Sequence, residues 1–452
     1  MTKRNFYKLV LLFILLTNYT LSKAQWLELG GTNTSTFNSG TNALVADASG
    51  NVYATGSFTN DNGYYYVAKW NDSTWSELGG TNTSTFSNFI SAIVVDAHGK
   101  VYIAGYFTDV DGNYYVAEWN GSAWIELGGT NASTFNSNIN ALAIDASGNV
   151  YAGGDFADGN GSKYVAKWDG SSWSELGGTD ASTFGISILT LAVDASSNVY
   201  VSGLLQNTNG YYYVAKWNGS VWSELGNANV STFNSYINTL TTDALGNVYT
   251  AGEFTNANNK YYVAKWSGSA WSELGGTNAS TFNSYISALT TDASGNLYAA
   301  GNFTDTNNKY YVAQWNGNAW IELGGTNTST FNNGINALAT DTSNNVYASG
   351  GFSNANGYQY IAKYSAQVTG VISSASGTTI NMYPNPSNGS FSINAPEGSL
   401  LEIYNSMGEL VVTKAIEIGN ITVSLINEPA GIYIVQVTSG NNVTTQKIVL
   451  EK

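Results

Sequence analysis

A 49-residue unit repeated seven times, four short β signals in each unit, and no stretch of helical period predict an all-β chain. The expected architecture is a seven-bladed β-propeller with four-stranded blades, followed by a small β-sandwich. The unit is clearest at Trp75, where it reads W-S-E-L-G-G-T-N-T-S-T-F. Variants begin at Trp26, Trp124, Trp173, Trp222, Trp271 and Trp320, without insertion or deletion, and fill residues 26–368 of 452. All 13 tryptophans lie inside them, two per unit, with Tyr364 standing where a fourteenth would be. That regularity ties the tryptophans to the architecture.

Within a unit the first strand signal is Ala43-Leu44-Val45-Ala46, small and apolar, as a strand buried on both faces requires. The second is Asn51–Phe58, rich in β-formers. Between them Asp47-Ala48-Ser49-Gly50 places Asp at the head of a type I turn and Gly in the left-handed position after it. The aspartate recurs in all seven units, whereas the glycine becomes Ser197 and Asn344 in two. The third strand is Tyr65–Trp70 and the fourth Trp75–Gly79, joined by Asn71-Asp72-Ser73-Thr74 or, elsewhere, by Asn120-Gly121-Ser122. An Asn-Gly pair between two β runs signals a hairpin, and a loop of this length sets Trp70 opposite Trp75. Alternation puts Glu77 on the face of both rings.

The phase of the repeat predicts a closed ring. The chain enters on a fourth strand, Trp26–Gly30, and leaves the repeats on a third, Tyr360–Tyr364. Pairing these two orphans removes two free sheet edges.

The order of a small-apolar strand, V-Y-A-x-G and A-K-W-x-G-S-x-W-x-E-L resembles the kelch-type β-propellers. These share a glycine ending the second strand, an aromatic ending the third and a Trp opening the fourth. The double glycine of that family occurs only as Gly153-Gly154 and Gly350-Gly351, which makes the units kelch-like. They are also similar to V-Y-A-G-G-x-F-T repeats of bacterial surface proteins.

Residues 1–24 are expected to be a signal peptide: Lys3, Arg4 and Lys8 precede an apolar run, Leu9–Leu16, and Ser22-Lys23-Ala24 offers small residues for cleavage. That run is too short to span a bilayer, and no other stretch qualifies. Losing the segment would carry the formal net charge from −15 to about −19. Such acidity argues against nucleic-acid partners. The absence of cysteine excludes thiol redox chemistry, cysteine-held iron–sulfur clusters and thiolate zinc sites. The remaining divisions are the propeller over 25–364, a Ser/Gly/Thr linker over 365–380, and the sandwich over 381–452.

That last region carries Met382-Tyr383-Pro384-Asn385-Pro386-Ser387-Asn388-Gly389, then Leu401–Val411, Ala430–Val437, and a terminus ending in Lys452. It is very similar to the type A C-terminal sorting domain of the type IX secretion system. The resemblance implies export through the periplasm, recognition by the outer-membrane machinery, and a secreted or outer-surface location on a Gram-negative bacterium. Tyr383, Pro384, Asn385, Pro386, Gly389 and Lys452 are the motif residues.

Candidate chemistry is sparse. Seven glutamates (Glu77 and its counterparts) could form carboxylate pairs with acidic neighbours for glycoside hydrolysis. Acid and base roles need different environments, and seven equal copies give none; hydrogen-bond acceptors fit better. His98, the only histidine, takes a turn position held elsewhere by Ser49 or Leu245 and lacks partners for catalysis. Asp109, Asp111 and Asn113 spell a D-x-D-G-N run like a calcium loop, without the distant bidentate glutamate. Asx-turn chemistry explains the run without a metal. No cofactor is expected, with calcium as the one alternative.

The expectation is a monomeric, non-catalytic binding or adhesion propeller with a glycan or protein ligand. Alternatives are a polysaccharide-degrading enzyme and a structural surface component. Ligand residues are sought on the face of the long connections, where Asn33, Asn131, Tyr64, Tyr65, Tyr114, Tyr115 and Tyr212 combine amides with rings. The opposite face is expected to hold only tight turns, too short to build a pocket. The fourth unit breaks the pattern at Gly185-Ile186-Ser187 and Leu204-Leu205-Gln206, so a single special site should lie near it.

Overall fold

The computed structural model describes residues 26–32, 35, 37–129, 135–178, 184–226, 233–277, 280–325, 329, 331–364, 381–405, 410–417, 419–439 and 442–451. They fall into two compact units, one within Ala24–Ala366 and one within Gln367–Lys452. Among the described residues every regular element is a strand.

The larger unit consists of seven four-stranded antiparallel sheets, one per repeat. In the first blade Thr41–Ala46, Val52–Gly56, Ala68–Trp70 and Trp75–Glu77 lie side by side in chain order. The second strand is buried from end to end, as its run of β-formers and small residues allows. Each innermost strand packs against the innermost strands of both neighbouring blades, all the way round. The seventh blade takes its fourth strand from the start of the chain. Trp26–Glu28 pairs with Ala362–Tyr364, Trp26 opposite Tyr364, with the two rings 5.4 Å apart. The ring is closed as the repeat phase predicts.

Turn chemistry fixes one end of each blade. Asp47 Oδ1 accepts the Ser49 and Asn51 amides, both at 2.9 Å. Its Oδ2 accepts Asn51 Nδ2 at 2.6 Å and the Tyr53 hydroxyl at 3.1 Å. Gly50 has φ 86°, and Ser197 and Asn344 adopt 59° and 60° in its place. Lys69 Nζ stands 5.5 Å from the centroid of the Tyr53 ring, a cation–π contact. The second blade reverses the charges: Lys100 replaces the Asn51 type, Glu118 replaces the Lys69 type, and the two pair at 2.5 Å.

At the other end, Gly56 closes the second strand where a bulge starts the first. A Cβ on Gly56 would stand 2.2 Å from the Gly40 carbonyl oxygen, so only glycine fits. Trp70 faces Trp75 across the outer hairpin, ring centroids 5.7 Å apart. The Asn71 side chain accepts the Ser73 and Thr74 amides at 3.2 and 3.0 Å and shapes that loop.

The smaller unit is two antiparallel sheets. One holds Asn381–Tyr383, Ser390–Asn394 and Asn420–Ser424; the other holds Leu410–Ile416, Ser399–Tyr404, Gly431–Ser439 and Asn442–Leu450. Phe391, Ile393, Leu401, Ile403, Val435 and Ile448 are buried in one cluster between them, the packing of a sandwich.

Candidate functional site

The repeated glutamate is a clasp. Glu77 accepts the Asn82 amide at 2.6 Å and the Ser84 amide at 2.5 Å, holding the connection to the next blade against the outer strand. Asn60 Nδ2 reaches the same carboxylate at 3.4 Å, and Asn256 reaches Glu273 at 3.1 Å. In three blades an aspartate (Asp109, Asp158 or Asp305) replaces this asparagine. The Oδ2 atoms of Asp158 and Asp305 are buried without a hydrogen-bond partner.

Around three of the clasps an outer groove opens. In the first blade it encloses about 710 Å³ and is bordered by Asn38, Thr59, Asn60, Tyr66, Trp75 and Glu77. The same positions recur in the sixth blade, about 900 Å³, with Asn283, Thr304, Asp305, Tyr311, Trp320 and Glu322. The third blade repeats four of them, Asp158, Tyr164, Trp173 and Glu175, in a smaller space of about 200 Å³. Trp75 belongs to the blade interface as well, since its Nε1 donates to the Leu29 carbonyl at 3.2 Å. Rings continue inward: Tyr66 lies 4.7 Å from Phe58, Phe58 4.8 Å from Phe37, and Phe37 5.3 Å from Trp75. Burial, then Glu77 and Asp61, pushes the Tyr66 hydroxyl up to about 12. It stays a neutral donor in the groove at any physiological pH.

The sequence-predicted residues are distributed around these grooves. Tyr64 is exposed, and its seventh-blade counterpart Tyr358 borders the first groove. Tyr65 and Tyr114 are half-buried and donate their amides to Phe86 and Phe135 at 3.1 and 3.0 Å. Tyr115 is the second-blade counterpart of Tyr66 and packs 4.9 Å from Phe107. Tyr212 meets Tyr236 edge-on at 5.3 Å. Asn33 and Asn131 lie outside the described residues. Asp109 Oδ1 accepts the Asp111 and Asn113 amides, both at 2.9 Å, as an Asx turn does. Among the described residues no three His, Cys, Asp or Glu side chains come together as a metal would require. His98 stands in its turn with the side chain 88% exposed, 3.9 Å from Asp96.

One expectation needs correction. The tight-turn face does build a pocket. The turns Asp145–Asn149 and Ser196–Asn198 and the hairpin loop at Asn218 and Gly219 enclose about 310 Å³ between the third and fourth blades. Neighbouring blades bring short turns side by side, and the space between two turns does not depend on the length of either.

A second feature escaped the sequence reading. The residue after the second strand differs in every blade: Ser57, Tyr106, Asp155, Leu204, Glu253, Asn302 and Gly351. In each case its amide donates to the residue before the first strand, at 2.9–3.1 Å; Tyr106 pairs with Phe89, Asp155 with Asn138 and Glu253 with Tyr236. Because the first strand is innermost, these pairs ring one mouth of the central channel, on the side of the long loops. The signal was present in the sequence as variation inside a near-constant repeat.

In the smaller unit Asn385 secures its motif to the final strand. Its Nδ2 donates to the Lys447 carbonyl at 2.8 Å, and its Oδ1 accepts the Val449 amide at 3.0 Å. Gly389 has φ 117° and lies against Ile426, while Tyr383, Pro384 and Pro386 are exposed. Lys452 lies outside the described residues.

Residues 381–451 match the family of secretion system C-terminal sorting domains. The protein is therefore a secreted or cell-surface protein that carries its export address at its C-terminal end. No helix among the described residues is long and apolar enough to cross a membrane. None of the curated proteins matches the chain. Among solved structures it resembles PorZ, an essential surface component of the type-IX secretion system of Porphyromonas gingivalis, at 14% identity and TM-score 0.47. That match covers 93% of this chain and 60% of PorZ, so the chain spans about three fifths of its length. The WD40 β-propeller domain of Doa1 is similar at 12% identity and TM-score 0.49, covering 75% of this chain and 97% of that one. An ulvan lyase of polysaccharide lyase family PL25 gives 13% identity and TM-score 0.44, covering 73% and 95%.

Proposed function

We propose that the protein is a non-catalytic binding propeller that grips a hydroxylated polymer, a polysaccharide, through the grooves repeated around its rim. The observation that supports this most is the recurrence of one groove chemistry in separate blades: an indole, a phenol and a carboxylate at the same places in three of them, with an amide beside these in two. Aromatic edges give apolar contact to a sugar ring, and the amide and carboxylate pair with its hydroxyls. Weak sites in a ring add up on a polymeric partner, which makes repetition itself useful. The Asp109-type loops act as Asx turns in this reading, so no metal is needed. Residues 1–24 would be removed on export, and the mature chain would act as a monomer.

The test is retention of the purified full chain on a panel of insoluble polysaccharides. Tyr66→Phe, Tyr164→Phe and Tyr311→Phe together keep the rings and remove three groove hydroxyls. Retention on at least one polysaccharide, weakened roughly tenfold by the triple change and indifferent to EDTA, is the expected result. Release of reducing ends from any polysaccharide, or no retention at all, would overturn the reading.

A further inference from the structure

The mouth of the channel differs from the grooves in kind. The grooves repeat, whereas the mouth changes with every blade. Where seven copies are otherwise almost constant, a position carrying seven different residues serves no shared structural need. Its backbone partner position varies as well, through Gly40, Phe89, Asn138, Ser187, Tyr236 and Tyr285. The two variable positions meet at one place.

We propose that this mouth, on the sector of blades two to five, is a single binding site for one neutral or basic sugar unit. Phe89 and Tyr106 stack at 4.1 Å with 27° between their planes, and both are half-buried, leaving an aromatic platform at the rim of the channel. Beside it stands Asp155, whose proximity, after burial, raises the Tyr106 hydroxyl. The Asp155 carboxylate is held from three sides. Asn138 Nδ2 donates to it at 3.1 Å, Asn140 Nδ2 at 3.4 Å, and the Ser187 hydroxyl also donates to it. Lys163 donates its ammonium to the Asp155 carbonyl. Ser187 belongs to the fourth blade, whose departure from the repeat pattern is thereby put to use. Leu204, Ser57 and Gly351 hold the same place in other blades, so the fold does not require this network.

The next blades extend the site. Tyr236 is 40% exposed against Tyr212, and Glu253 is exposed after the same strand end. Across the mouth, blades seven and one present only Gly334, Gly351, Gly40 and Ser57, and a Cβ on Gly40 would meet nothing within 4 Å. The geometry is a fixed aromatic and polar wall facing an open side. Rings offer faces to the C–H groups of a pyranose, and carboxylates and amides accept and donate to its hydroxyls. The two carboxylates of Asp155 and Glu253 outnumber the single Lys163 ammonium beside them, so the site selects against uronates by charge.

The site takes sugars, as the grooves are proposed to, but stoichiometry and variants separate the two. Calorimetry on the full chain would use cellotriose, mannotriose and chitotriose as neutral probes, the glucosamine trimer as the basic probe and trigalacturonate as the acidic one. At least one neutral or basic probe should bind at one per chain, and at least tenfold more tightly than trigalacturonate. Asp155→Ala and Tyr106→Ala should each weaken that binding at least tenfold, with circular dichroism checking the fold. Glu253→Gln alters an exposed side chain and should narrow the discrimination against trigalacturonate even if the other two variants misfold. The groove triple variant should leave single-site binding unchanged. Binding at several sites per chain that vanishes in the groove variant and survives Asp155→Ala would overturn the mouth site and leave the groove reading standing. Tightest binding of trigalacturonate, or no binding of any neutral or basic probe, would also overturn it.

Discussion

Single residues in this protein can be compared across blades as if the chain were its own mutant series. Asp158 and Asp305 bury a carboxylate oxygen without a donor where Asn60 and Asn256 supply an amide to the clasp glutamate. Asp158→Asn with Asp305→Asn should therefore stabilise the propeller by about 1 kcal/mol per site at neutral pH, read from urea unfolding. A loss of stability would show that the carboxylates have a task. Glu118→Lys should destabilise, because it sets a second ammonium beside Lys100. Adding Lys100→Asn should restore the arrangement of the first blade, and the double-mutant cycle should show coupling of about 1 kcal/mol. The turn aspartates set the acid limit. Burial alone would raise the Asp145 carboxyl, but Asn149, Tyr151 and the Ser147 amide outweigh it and hold it below its usual range. Asp194, Asp243 and Asp341 behave alike. A depressed folded value means stability that is present above the unfolded pKa of about 3.9 and lost as pH falls through the folded one. The Tm should be level from pH 7 to about 5 and fall below about 4, with a shallower fall after Asp145→Asn.

At the scale of the element, much of the blade was legible beforehand because its determinants are local. The Asp-Ala-Ser-Gly turn and the Trp70–Trp75 pair each sit within a few residues of the chain. Ring closure, which joins the two ends of the repeats, could be read for another reason, the phase of the units. The grooves and the mouth could not, since each joins residues from different strands or blades whose approach depends on the curvature of the whole ring. Trp75 illustrates the limit: its spacing ties it to the architecture, and the fold shows the same ring both packed between blades and bordering a groove. The glutamate clasp was legible as an acceptor but not in its partners, the amides of the connection it holds. Closure by Trp26–Glu28 is the element with the largest predicted effect. Deleting residues 25–31 should expose the edge Ala362–Tyr364 and lower the Tm by at least 10 °C. An unchanged melting temperature would mean that the ring is held shut by other contacts.

For the whole molecule, architecture and address are separable from the ligand. A chain ending at Ser374 should remain in the periplasm of the producing cell, while the full chain reaches the surface or the medium; equal display of both would contradict the address at residues 381–451. The central claim is that one side of the propeller, where the long connections lie, does the binding, and that the tight-turn side does not, despite its cavity near Asp145 and Ser197. Hydrogen exchange of the full chain, with and without a retained polysaccharide, tests this most directly. Slowed exchange is predicted at segments equivalent to Thr59–Tyr66, together with the strand ends at Tyr106 and Asp155, with no change at the turns equivalent to Asp47–Gly50. Slowed exchange confined to those turns would contradict the account.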